Sequence, residues 1–483
     1  MLYLLLFLPL LPALYALRER EIGRLAGSTA AGAALSLGLA LLAHDPLAGP
    51  LRLDGVGLFY LLLTDCLFAL VALYARAYFQ AAQDGEAWRF YAAGNLFLFA
   101  MHGAYLAHNL GLLWIFVESS TLASALLVYH RGGARALEAT WKYLMLGSVG
   151  IALGLIGVIL VYALLGGATL DWQEARELVR KAEPAQLKLA FAFLLVGFGT
   201  KVGLFPLHAW LPDAHSEAPS PASALLSGTL LNVAFYALLR YTALLGSAGL
   251  FDFAAGLLQG FGLFSLLAAA LFLFAQRDYK RLLAYSSMEH MGLAVYGLSL
   301  GVPWLAMLHT LFHSLIKTAA FLSAGNLLLA YQSKLIARVG AVYRAWPASA
   351  GLLVLSWLSL AGLPPFGLFY TEFQALFRSS PLSMGLYLLG LVGAFAGLLW
   401  PLSRMAFGEG PLLPHSGEGL PSGVPGPGLA REHPRPRTLV VVPAVLVALA
   451  LILGLFPPTG VVERLAQTLL SPLIGGEVLS WKL

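Results

Sequence analysis

Long apolar runs alternate with short polar segments along almost the whole chain. An α-helix needs about 20 predominantly apolar residues to cross a bilayer, and fourteen runs come close to that length. The pattern therefore predicts an all-α membrane protein with 14 transmembrane helices. The predicted spans are residues 2 to 17, 25 to 43, 54 to 79, 88 to 107, 109 to 130, 139 to 165, 188 to 206, 221 to 245, 253 to 275, 281 to 301, 303 to 330, 348 to 378, 382 to 408 and 438 to 456.

The composition agrees with the hydrophobic pattern. Of the 483 residues, 59% are apolar and only 11% are charged, whereas about a quarter of the residues in a soluble domain are charged. The first span has no basic residue before it and no small-residue cleavage site after it, so we expect a retained helix and not a signal peptide. These features exclude an ordinary soluble enzyme.

Positively charged residues are divided unevenly between the two sets of loops. Loops after odd-numbered spans carry 17 lysines and arginines, and loops after even-numbered spans carry seven. Because basic residues concentrate in cytoplasmic loops, both termini are predicted to face outside, with the protein in the cell inner (plasma) membrane. This topology accounts for the formal net charge of +5 without nucleic-acid binding.

Two energy-yielding reactions, electron transfer through an iron–sulfur cluster and ATP hydrolysis, are not expected on this chain. The single cysteine, Cys66, rules out an iron–sulfur cluster held by this chain alone, since such clusters need about four cysteine ligands. A phosphate-binding loop of the form GxxxxGKS or GxxxxGKT is also absent, so ATP hydrolysis on this chain is not expected. The energy source for this protein is therefore predicted to lie outside this chain.

Two spans contain helix-breaking residues inside apolar runs. Gly203 and Pro206 interrupt the seventh span, and the segment GLPPFG, residues 362 to 367, interrupts the twelfth. A proline inside a helix removes one backbone hydrogen bond, and in membranes such breaks occur where polar groups or water can replace it. Broken helices five spans apart predict two inverted five-helix repeats around a site at the middle of the membrane.

The predicted domain organisation follows from these breaks. A Pro/Gly-rich segment separates the second repeat from the last span and is predicted to be an exposed cytoplasmic loop. Residues 171 to 188 are predicted to form an amphipathic helix on the outer surface. The predicted boundaries are 1–87 for an N-terminal three-helix segment, 88–245 for helices 4–8, 246–408 for helices 9–13, 409–437 for the loop, and 438–483 for the last helix and a short tail.

A lysine lies at the end of an uncharged run in the seventh span. Lys201 follows LAFAFLLVGFGT, and a cation inside an apolar span costs about 2.5 to 3.5 kcal/mol and commonly marks an ion or proton path. Glu118, in LGLLWIFVESSTLASALLV, is similarly remote from other charges. Because opposite charges stabilise each other when buried, we expect Glu118 to pair with Lys201. The pair could carry protons, or it could be a static ion pair.

The eleventh span carries His309, His313 and Lys317 at positions i, i+4 and i+8. This spacing places them along one face of a helix, and we call them the histidine–lysine stripe. Histidine titrates near neutral pH, so the stripe is suited to passing protons within the membrane. Two alternatives stay open, namely structural packing and metal binding by the two histidines, although the glutamate of an HExxH site is absent.

Other intramembrane ionisable residues are weaker candidates. Glu372 follows the break in the twelfth span and is predicted to gate proton release, unless it is a helix-end glutamate that reaches the surface. Glu289 lies deep in the tenth span and could bridge the seventh-span lysine and the eleventh-span histidines. Lys142 lies near the start of the sixth span. Its side chain could equally reach the membrane surface or have a functional role. Asp65 has no evident partner in the sequence.

Several strings resemble one known family. They are WIFVESSTLASALLV, EATWKYLMLGSVGIALGL, GFGTKVGLFPLHAWLPDAHSEAPSPASALLSG, KRLLAYSSMEHMG, LFHSLIKTAAFLSAGN and LAGLPPFGLFYTEF. The chain resembles the antiporter-like membrane subunits of respiratory complex I, Mrp-type cation/proton antiporters and membrane-bound NiFe hydrogenases. The resemblance covers residues 50 to 410. Within the family, EATWKY and SSMEHMG are most similar to component F of hydrogenase-4-type complexes.

The resemblance implies a fold and a set of residue roles. The family has fourteen helices, two inverted five-helix repeats, and broken seventh and twelfth helices. Its glutamate on the fifth helix matches Glu118, its lysine on the seventh matches Lys201, and the ionisable residue on its twelfth matches Glu372. Its polar eleventh helix matches the histidine–lysine stripe. Many members carry a lysine on the eighth helix where this chain has Asn232, so water or another group would have to connect the seventh helix to the centre.

The resemblance also implies a function. The chain is expected to be a proton-translocating subunit of a redox-driven complex of the hydrogenase-4 or NADH dehydrogenase (complex I) type, with no electron-transfer chemistry of its own. Iron–sulfur clusters, flavin or a NiFe centre are expected on partner subunits and no cofactor on this chain. The expected partners are other membrane and peripheral subunits, the lipid bilayer, and protons or sodium ions. The alternatives are an Mrp-type secondary cation/proton antiporter subunit, and a structural membrane anchor that has lost transport, which only Asn232 favours.

Overall fold

Helices make up most of the structure, a computed structural model that describes residues 1–43, 47–408 and 437–470. The Pro/Gly-rich loop predicted at 409–437 lies outside the described residues except for its last one. The only sheet in the described ranges is a two-residue hairpin of β1 (Leu47–Ala48) and β2 (Leu51–Arg52). The helices are α1 (Leu2–Phe7), α2 (Leu10–Ala16), α3 (Ile22–Leu42), α4 (Gly55–Ala82), α5 (Ala87–Leu106), α6 (Leu110–Val128), α7 (Gly133–Leu164), α8 (Trp172–Leu178), α9 (Pro184–Val202), α10 (Trp210–Glu217), α11 (Ser220–Leu225), α12 (Leu231–Ser247), α13 (Phe251–Phe274), α14 (Tyr279–Ser299), α15 (Pro303–Tyr331), α16 (Val342–Ala345), α17 (Pro347–Leu360), α18 (Gly367–Phe377), α19 (Pro381–Phe407), α20 (Thr438–Leu455) and α21 (Thr459–Leu470).

Membrane-spanning helices dominate this list. Within the described ranges, ten helices are long and apolar enough to cross a membrane. The remaining predicted spans, the first, fourth, tenth and twelfth, are also helical but are shorter, broken or more polar. The chain is therefore an all-α, multi-span membrane protein, as predicted, and the count of fourteen crossings stays a prediction.

Two predicted helices differ in extent from the structure. The first span is divided into α1 and α2 on either side of Pro9, whose ring leaves no N–H to continue the helical hydrogen bonds. The amphipathic helix predicted over residues 171 to 188 is limited to α8, and α9 already begins at Pro184. Proline at this position has a fixed φ that suits the first turn of a helix.

The connecting loops gather on two opposite faces of the helix bundle. Loops after even-numbered spans meet on one face, where Asn109 and Asp171 form a backbone bridge. Loops after odd-numbered spans meet on the other, where Arg281 pairs with Asp213. We call these the even-loop face and the basic-loop face. Their alternation agrees with the predicted topology, and the assignment of one of them to the cell exterior stays a prediction.

Both predicted helix breaks are present. α9 ends at Val202, and Gly203 follows with φ +83°. α17 ends at Leu360, Gly362 has φ +67°, and α18 begins at Gly367. Glycine adopts this left-handed conformation without the steric cost that a Cβ would add. The structure therefore confirms the breaks, whereas the inverted-repeat relation of the two halves stays a prediction.

Two membrane segments lie at the centre of the bundle and are sheltered from lipid. The segment from α11 to α12 is buried along the whole of its most apolar stretch, and α15 is 94% buried over the equivalent stretch. These segments carry Asn232 and the histidine–lysine stripe, respectively. Because polar and charged groups that face lipid are costly, such residues belong at sheltered positions. The burial of these helices thus explains why polar and ionisable side chains are tolerated on them.

Glycines allow α7 and α9 to approach each other closely. A Cβ at Gly197 would lie 2.5 Å from backbone atoms of Gly154, and a Cβ at Gly157 would lie 2.9 Å from the carbonyl oxygen of Ala190. Small residues permit such close approach of membrane helices. This contact fixes α9, and with it Lys201, against α7.

Replacing Gly197 by alanine is therefore expected to destabilise the protein. The added methyl group would overlap the backbone of α7, and overpacking of this kind costs about 1 to 3 kcal/mol. Thermal denaturation in detergent measures the effect as a lower melting temperature. Gly27→Ala is the matched control, because a Cβ at that helical glycine meets no atom within 4 Å. Equal melting temperatures for the two variants would contradict the close packing.

Candidate functional site

Lys201 lies in the last turn of α9, and its side chain is fully buried. The carboxyl end of a helix favours a cation, because the helix dipole is negative there. The Lys201 Nζ donates to the Tyr143 hydroxyl at 3.4 Å and lies 5.1 Å from the centre of that ring. The Tyr143 hydroxyl also hydrogen-bonds with Ser124 at 2.7 Å. Sequence reasoning missed Tyr143, because an aromatic residue in an apolar span has no distinctive signal.

The predicted pairing of Glu118 with Lys201 is not a direct ion pair between these two described residues. The Glu118 carboxylate instead accepts hydrogen bonds from Ser148 at 2.7 Å and Thr121 at 3.0 Å. Adjacent residues of α7 meet the two groups, since Ser148 donates to Glu118 and a Cβ at Gly147 would be 3.9 Å from Lys201 Nζ. Two hydroxyl donors satisfy the carboxylate without the lysine. Glu118 and Lys201 still interact electrostatically.

Replacing Tyr143 by phenylalanine is expected to slow proton transfer through Lys201. The change removes the hydroxyl that contacts the lysine, and a single hydrogen bond of about 0.5 to 1.5 kcal/mol corresponds to a change of roughly two- to tenfold in rate. Proton translocation by the intact complex in liposomes measures the effect. Tyr162→Phe is the control, because Tyr162 lies on the same helix but is 41% exposed. A normal rate in Tyr143→Phe would argue against a role for this hydroxyl.

The histidine–lysine stripe has the predicted geometry. His309, His313 and Lys317 lie on α15, and all three are buried. His309 Nδ1 hydrogen-bonds with Thr371 of α18 at 2.9 Å, which links the stripe to the second broken helix. Among the described residues, no group of three or more His, Cys, Asp or Glu side chains is placed to hold a metal ion, so the structure offers no support for the metal interpretation of the stripe.

His290 joins the stripe to Glu372. Its ring centre lies 5.4 Å from that of His309 and 5.5 Å from that of His313. Its Nε2 lies 3.1 Å from the carbonyl oxygen of Leu360, and its Nδ1 lies 4.0 Å from Glu372 Oε1. Sequence reasoning did not select this residue, although it directly follows Glu289 in SSMEHMG. A second ionisable residue beside Glu289 was the available signal.

Glu372 is buried on α18, with 6% of its surface exposed. This burial argues against a helix-end glutamate that reaches the surface, which was the alternative for this residue. The helix break brings the backbone of Gly362 so close to the carboxylate that a side chain at Gly362 would collide with it. The break therefore makes room for a buried carboxylate.

Lys317, the last residue of the stripe, contacts α14, the helix that carries Glu289. The Lys317 Nζ donates to the Leu283 carbonyl oxygen at 2.7 Å and to the Ser286 hydroxyl, both on α14. Glu289 lies on the same helix and interacts electrostatically with Lys317 and Glu372. The predicted bridge towards the seventh-span lysine is therefore corrected, because Glu289 faces the second half of the bundle.

The structure also shows the surroundings of Lys142 and Asp65. Lys142 is exposed and pairs with Glu138 at 2.6 Å and with Asp213 at 3.1 Å on the basic-loop face, so it lies outside the buried set. Asp65 has a partner after all, because its Oδ1 lies 2.8 Å from Nε2 of the fully buried His102. That partner is on α5, and no sequence pattern specifies which residue of one helix faces another.

Asn232 occupies the space between the two halves of the site. Its Nδ2 donates to the Ser314 hydroxyl of α15 at 2.7 Å and to the Gly228 carbonyl oxygen at 3.0 Å. A π-helical turn, Leu226–Leu230, directly precedes it, and such turns are frequent at functional sites. Asn232 thus contacts the helix that carries the stripe, as a connecting position requires.

Many buried polar atoms of the site have no hydrogen-bond partner among the described residues. Buried polar groups in proteins are nearly always hydrogen-bonded, and ordered water commonly supplies the missing partner. The site is therefore suited to internal water. The atoms are Asn232 Oδ1, Glu289 Oε2, His290 Nδ1, His309 Nε2, both ring nitrogens of His313, and Glu372 Oε1.

Comparison with known proteins identifies the family. The transmembrane family described as NADH:quinone oxidoreductase/Mrp antiporter matches residues 107–399. The chain belongs to this family. It is 39% identical over 388 residues, covering 76% of this chain and 81% of the relative, to a hydrogenase-4 component F homolog of Methylacidiphilum infernorum. It is 31% identical over 419 residues, covering 85% and 79%, to NADH-quinone oxidoreductase subunit N of Desulforudis audaxviator.

A solved structure shows the same fold. An archaeal membrane-bound sulfane sulfur reductase has a chain that superposes with a TM-score of 0.81 at 22% identity, covering 98% of this chain and 97% of that one. Membership of the NADH:quinone oxidoreductase/Mrp antiporter family confirms the resemblance based on the sequence strings. The roles of individual residues stay predictions.

Proposed function

We propose that this chain is the proton-translocating membrane subunit of a redox-driven complex of the hydrogenase-4 or NADH:quinone oxidoreductase type. The observation that carries the proposal is the buried set of ionisable side chains in the middle of the bundle. Lys201, the histidine–lysine stripe, His290 and Glu372 are all nearly inaccessible to the exterior. Intramembrane ionisable groups are costly, and they typically mark proton or ion paths.

The first half of the path is the surroundings of Lys201. In the proposal, Lys201 takes up a proton from the basic-loop face and holds it beside the Tyr143 hydroxyl. Glu118 interacts electrostatically with Lys201, so a change in its charge or position would change how strongly Lys201 holds its proton. This arrangement supplies a switch without a direct ion pair.

The second half of the path runs from Asn232 to Glu372. Asn232 carries no proton itself, but its unpartnered Oδ1 and its contact with Ser314 suit a bound water at this point. From there the proton passes from His313 to His290 and on to His309. The His290 ring centre lies 5.5 Å from that of His313 and 5.4 Å from that of His309. Glu372 ends the path, 4.0 Å from His290.

The redox reaction would take place on partner subunits. We propose that these subunits carry the iron–sulfur clusters, flavin or NiFe centre, and that the whole complex lies in the plasma membrane with both termini of this chain outside. The 39% identity to a hydrogenase-4 component F homolog supports this assignment over a secondary antiporter. That the ion is a proton, and that the electron donor is that of a hydrogenase-4 or NADH:quinone oxidoreductase type of complex, both belong to the proposal.

Purification of the native complex, followed by reconstitution into liposomes, tests the proposal. An oxidoreductase is expected to co-purify, and its electron donor and acceptor are expected to drive proton movement that is unaffected by sodium. The internal pH of the liposomes, measured with and without sodium, reports the proton movement and its independence of sodium. Sodium gradients that drive proton exchange without a redox partner would overturn the proposal in favour of an Mrp-type antiporter.

A further inference from the structure

α12 carries a second polar stripe, of which the lateral path uses only Asn232. Asn232, Tyr236 and Arg240 lie at i, i+4 and i+8 and therefore share one face of the helix. Their side chains are essentially inaccessible, with 0%, 0% and 1% of their surface exposed. The stripe runs from the central axis towards the even-loop face, where α12 ends at Ser247.

Hydroxyl groups continue from Asn232 to a neighbouring helix. Asn232 donates to the Ser314 hydroxyl at 2.7 Å, and that hydroxyl donates to the Thr310 carbonyl oxygen at 2.6 Å. The Thr310 hydroxyl hydrogen-bonds with the Tyr60 hydroxyl of α4 at 3.0 Å. The hydroxyl groups of Ser314, Thr310 and Tyr60 can each both donate and accept a hydrogen bond, and water is needed to join them into one chain.

Three tyrosines surround the middle of the stripe. The Tyr236 ring centre lies 5.9 Å from that of Tyr60 and 5.3 Å from that of Tyr105. The Tyr236 hydroxyl donates to the Tyr105 carbonyl oxygen at 3.2 Å and accepts from Arg240 Nε at 2.8 Å. Tyr236 therefore links the tyrosine cluster to the arginine at the end of the stripe.

An ion pair closes the end of the stripe at the even-loop face. Arg240 Nη2 contacts Asp54 Oδ2, and 12% of the Asp54 side chain is exposed there. The other oxygen, Oδ1, accepts from the Gly57 backbone N–H at 2.8 Å and so caps α4. Burial lowers the pKa of the nearby His108 imidazole, so this ring favours its uncharged form beside the ion pair.

Unpartnered atoms lie at both ends of the stripe. Asn232 Oδ1 at the inner end and Arg240 Nη1 at the outer end are buried and have no hydrogen-bond partner among the described residues. Because buried polar groups of this kind normally bind water, both ends of the stripe are suited to hydration.

We propose that the face of α12 carrying Asn232, Tyr236 and Arg240 is a hydrated proton conduit from the central axis to the even-loop face, with the Arg240–Asp54 ion pair as its gate. This inference rests on the proposed proton-translocating function. It adds a second connection to that face, separate from the Glu372 end of the path.

Replacing Tyr236 by phenylalanine in the intact, reconstituted complex tests the conduit. The change removes the hydroxyl that joins the tyrosine cluster to Arg240, and a fall of at least about fivefold in the proton-translocation rate is expected, in the range of a lost hydrogen bond. Tyr241→Phe is the matched control. Tyr241 is on the same helix and equally buried, but its hydroxyl donates to the Leu110 carbonyl oxygen at 3.0 Å, off the stripe. Equal rates in the two variants would overturn the conduit.

Thiol labelling tests the gate independently of transport. In a background with Cys66→Ser, Thr310→Cys places a thiol near the inner end of the stripe. A membrane-impermeant cationic methanethiosulfonate reagent applied at the even-loop face is expected to react slowly. Adding Asp54→Asn, which keeps the helix cap but removes the charge, is expected to raise the labelling rate by at least about tenfold, since the ion pair no longer closes the stripe. Unchanged labelling would overturn the gate.

The two proposals fail in different ways. If Lys201→Met leaves proton translocation unchanged, the proposed function fails. If Lys201→Met stops translocation while Tyr236→Phe behaves as Tyr241→Phe does, only the conduit fails. The melting temperature of each variant separates these outcomes from misfolding.

Discussion

Replacing Lys201 by methionine is expected to reduce redox-driven proton translocation by at least about tenfold. Methionine keeps much of the apolar volume of the side chain and removes the ionisable group. A positioned acid–base group contributes about 10²- to 10⁴-fold to proton transfer, so tenfold is a conservative expectation for a buried lysine with no substitute beside it. The measurement is the number of protons moved for each pair of electrons transferred by the reconstituted complex.

The matched control for this variant lies on the same helix. Lys188 is near the other end of α9, where its Nζ lies 5.4 Å from the Phe253 ring centre. Lys188→Met removes a cation of the same type outside the buried site, and normal translocation is expected. If both variants were equally impaired, loss of positive charge or of folding would explain the effect, and the specific role of Lys201 would be refuted.

Replacing Lys317 by methionine is expected to have an effect of similar size. Lys317 is the lysine of the histidine–lysine stripe, and two groups on α14 accept hydrogen bonds from its Nζ. Without it, Glu289 loses the lysine with which it interacts, and the stripe loses an ionisable group beside His313. We expect translocation to fall at least about tenfold, on the same basis as for Lys201.

Lys142→Met is the control for Lys317→Met. Lys142 is exposed and already satisfied by Glu138 and Asp213, and surface ion pairs contribute only about 0 to 1 kcal/mol. Translocation close to normal is expected in this variant. Loss of translocation in Lys142→Met, with normal transport in Lys317→Met, would place the path on the basic-loop face and contradict the buried route.

The sequence was sufficient to predict features that depend on spacing along one helix. The positions of His309, His313 and Lys317 follow from the helical repeat alone, and all three lie on one buried helix. The break at Gly203 was predictable because glycine and proline act on their own backbone. Alternation of the two loop faces followed from counting spans.

Features that depend on how helices rotate against one another were not predictable. Glu118 and Lys201 were expected to meet, but the hydroxyl groups of Ser148 and Thr121 satisfy the carboxylate instead. Asp65 had no partner in the sequence, whereas packing of α4 against α5 supplies His102. Apolar periodicity shows which face of a helix is buried, but it does not specify which residue of a neighbour it contacts.

The sheltered position of α15 has a consequence for the way the protein is made. α20, close to the end of the chain, covers part of α15, and Asn326 of α15 donates to the Leu439 carbonyl oxygen of α20 at 2.8 Å. During synthesis, α15 enters the membrane before α20 exists, so Asn326 lacks this hydrogen-bond partner until α20 has been made. Because exposed polar groups in lipid are costly, α15 is expected to reach its full burial only when α20 inserts beside it.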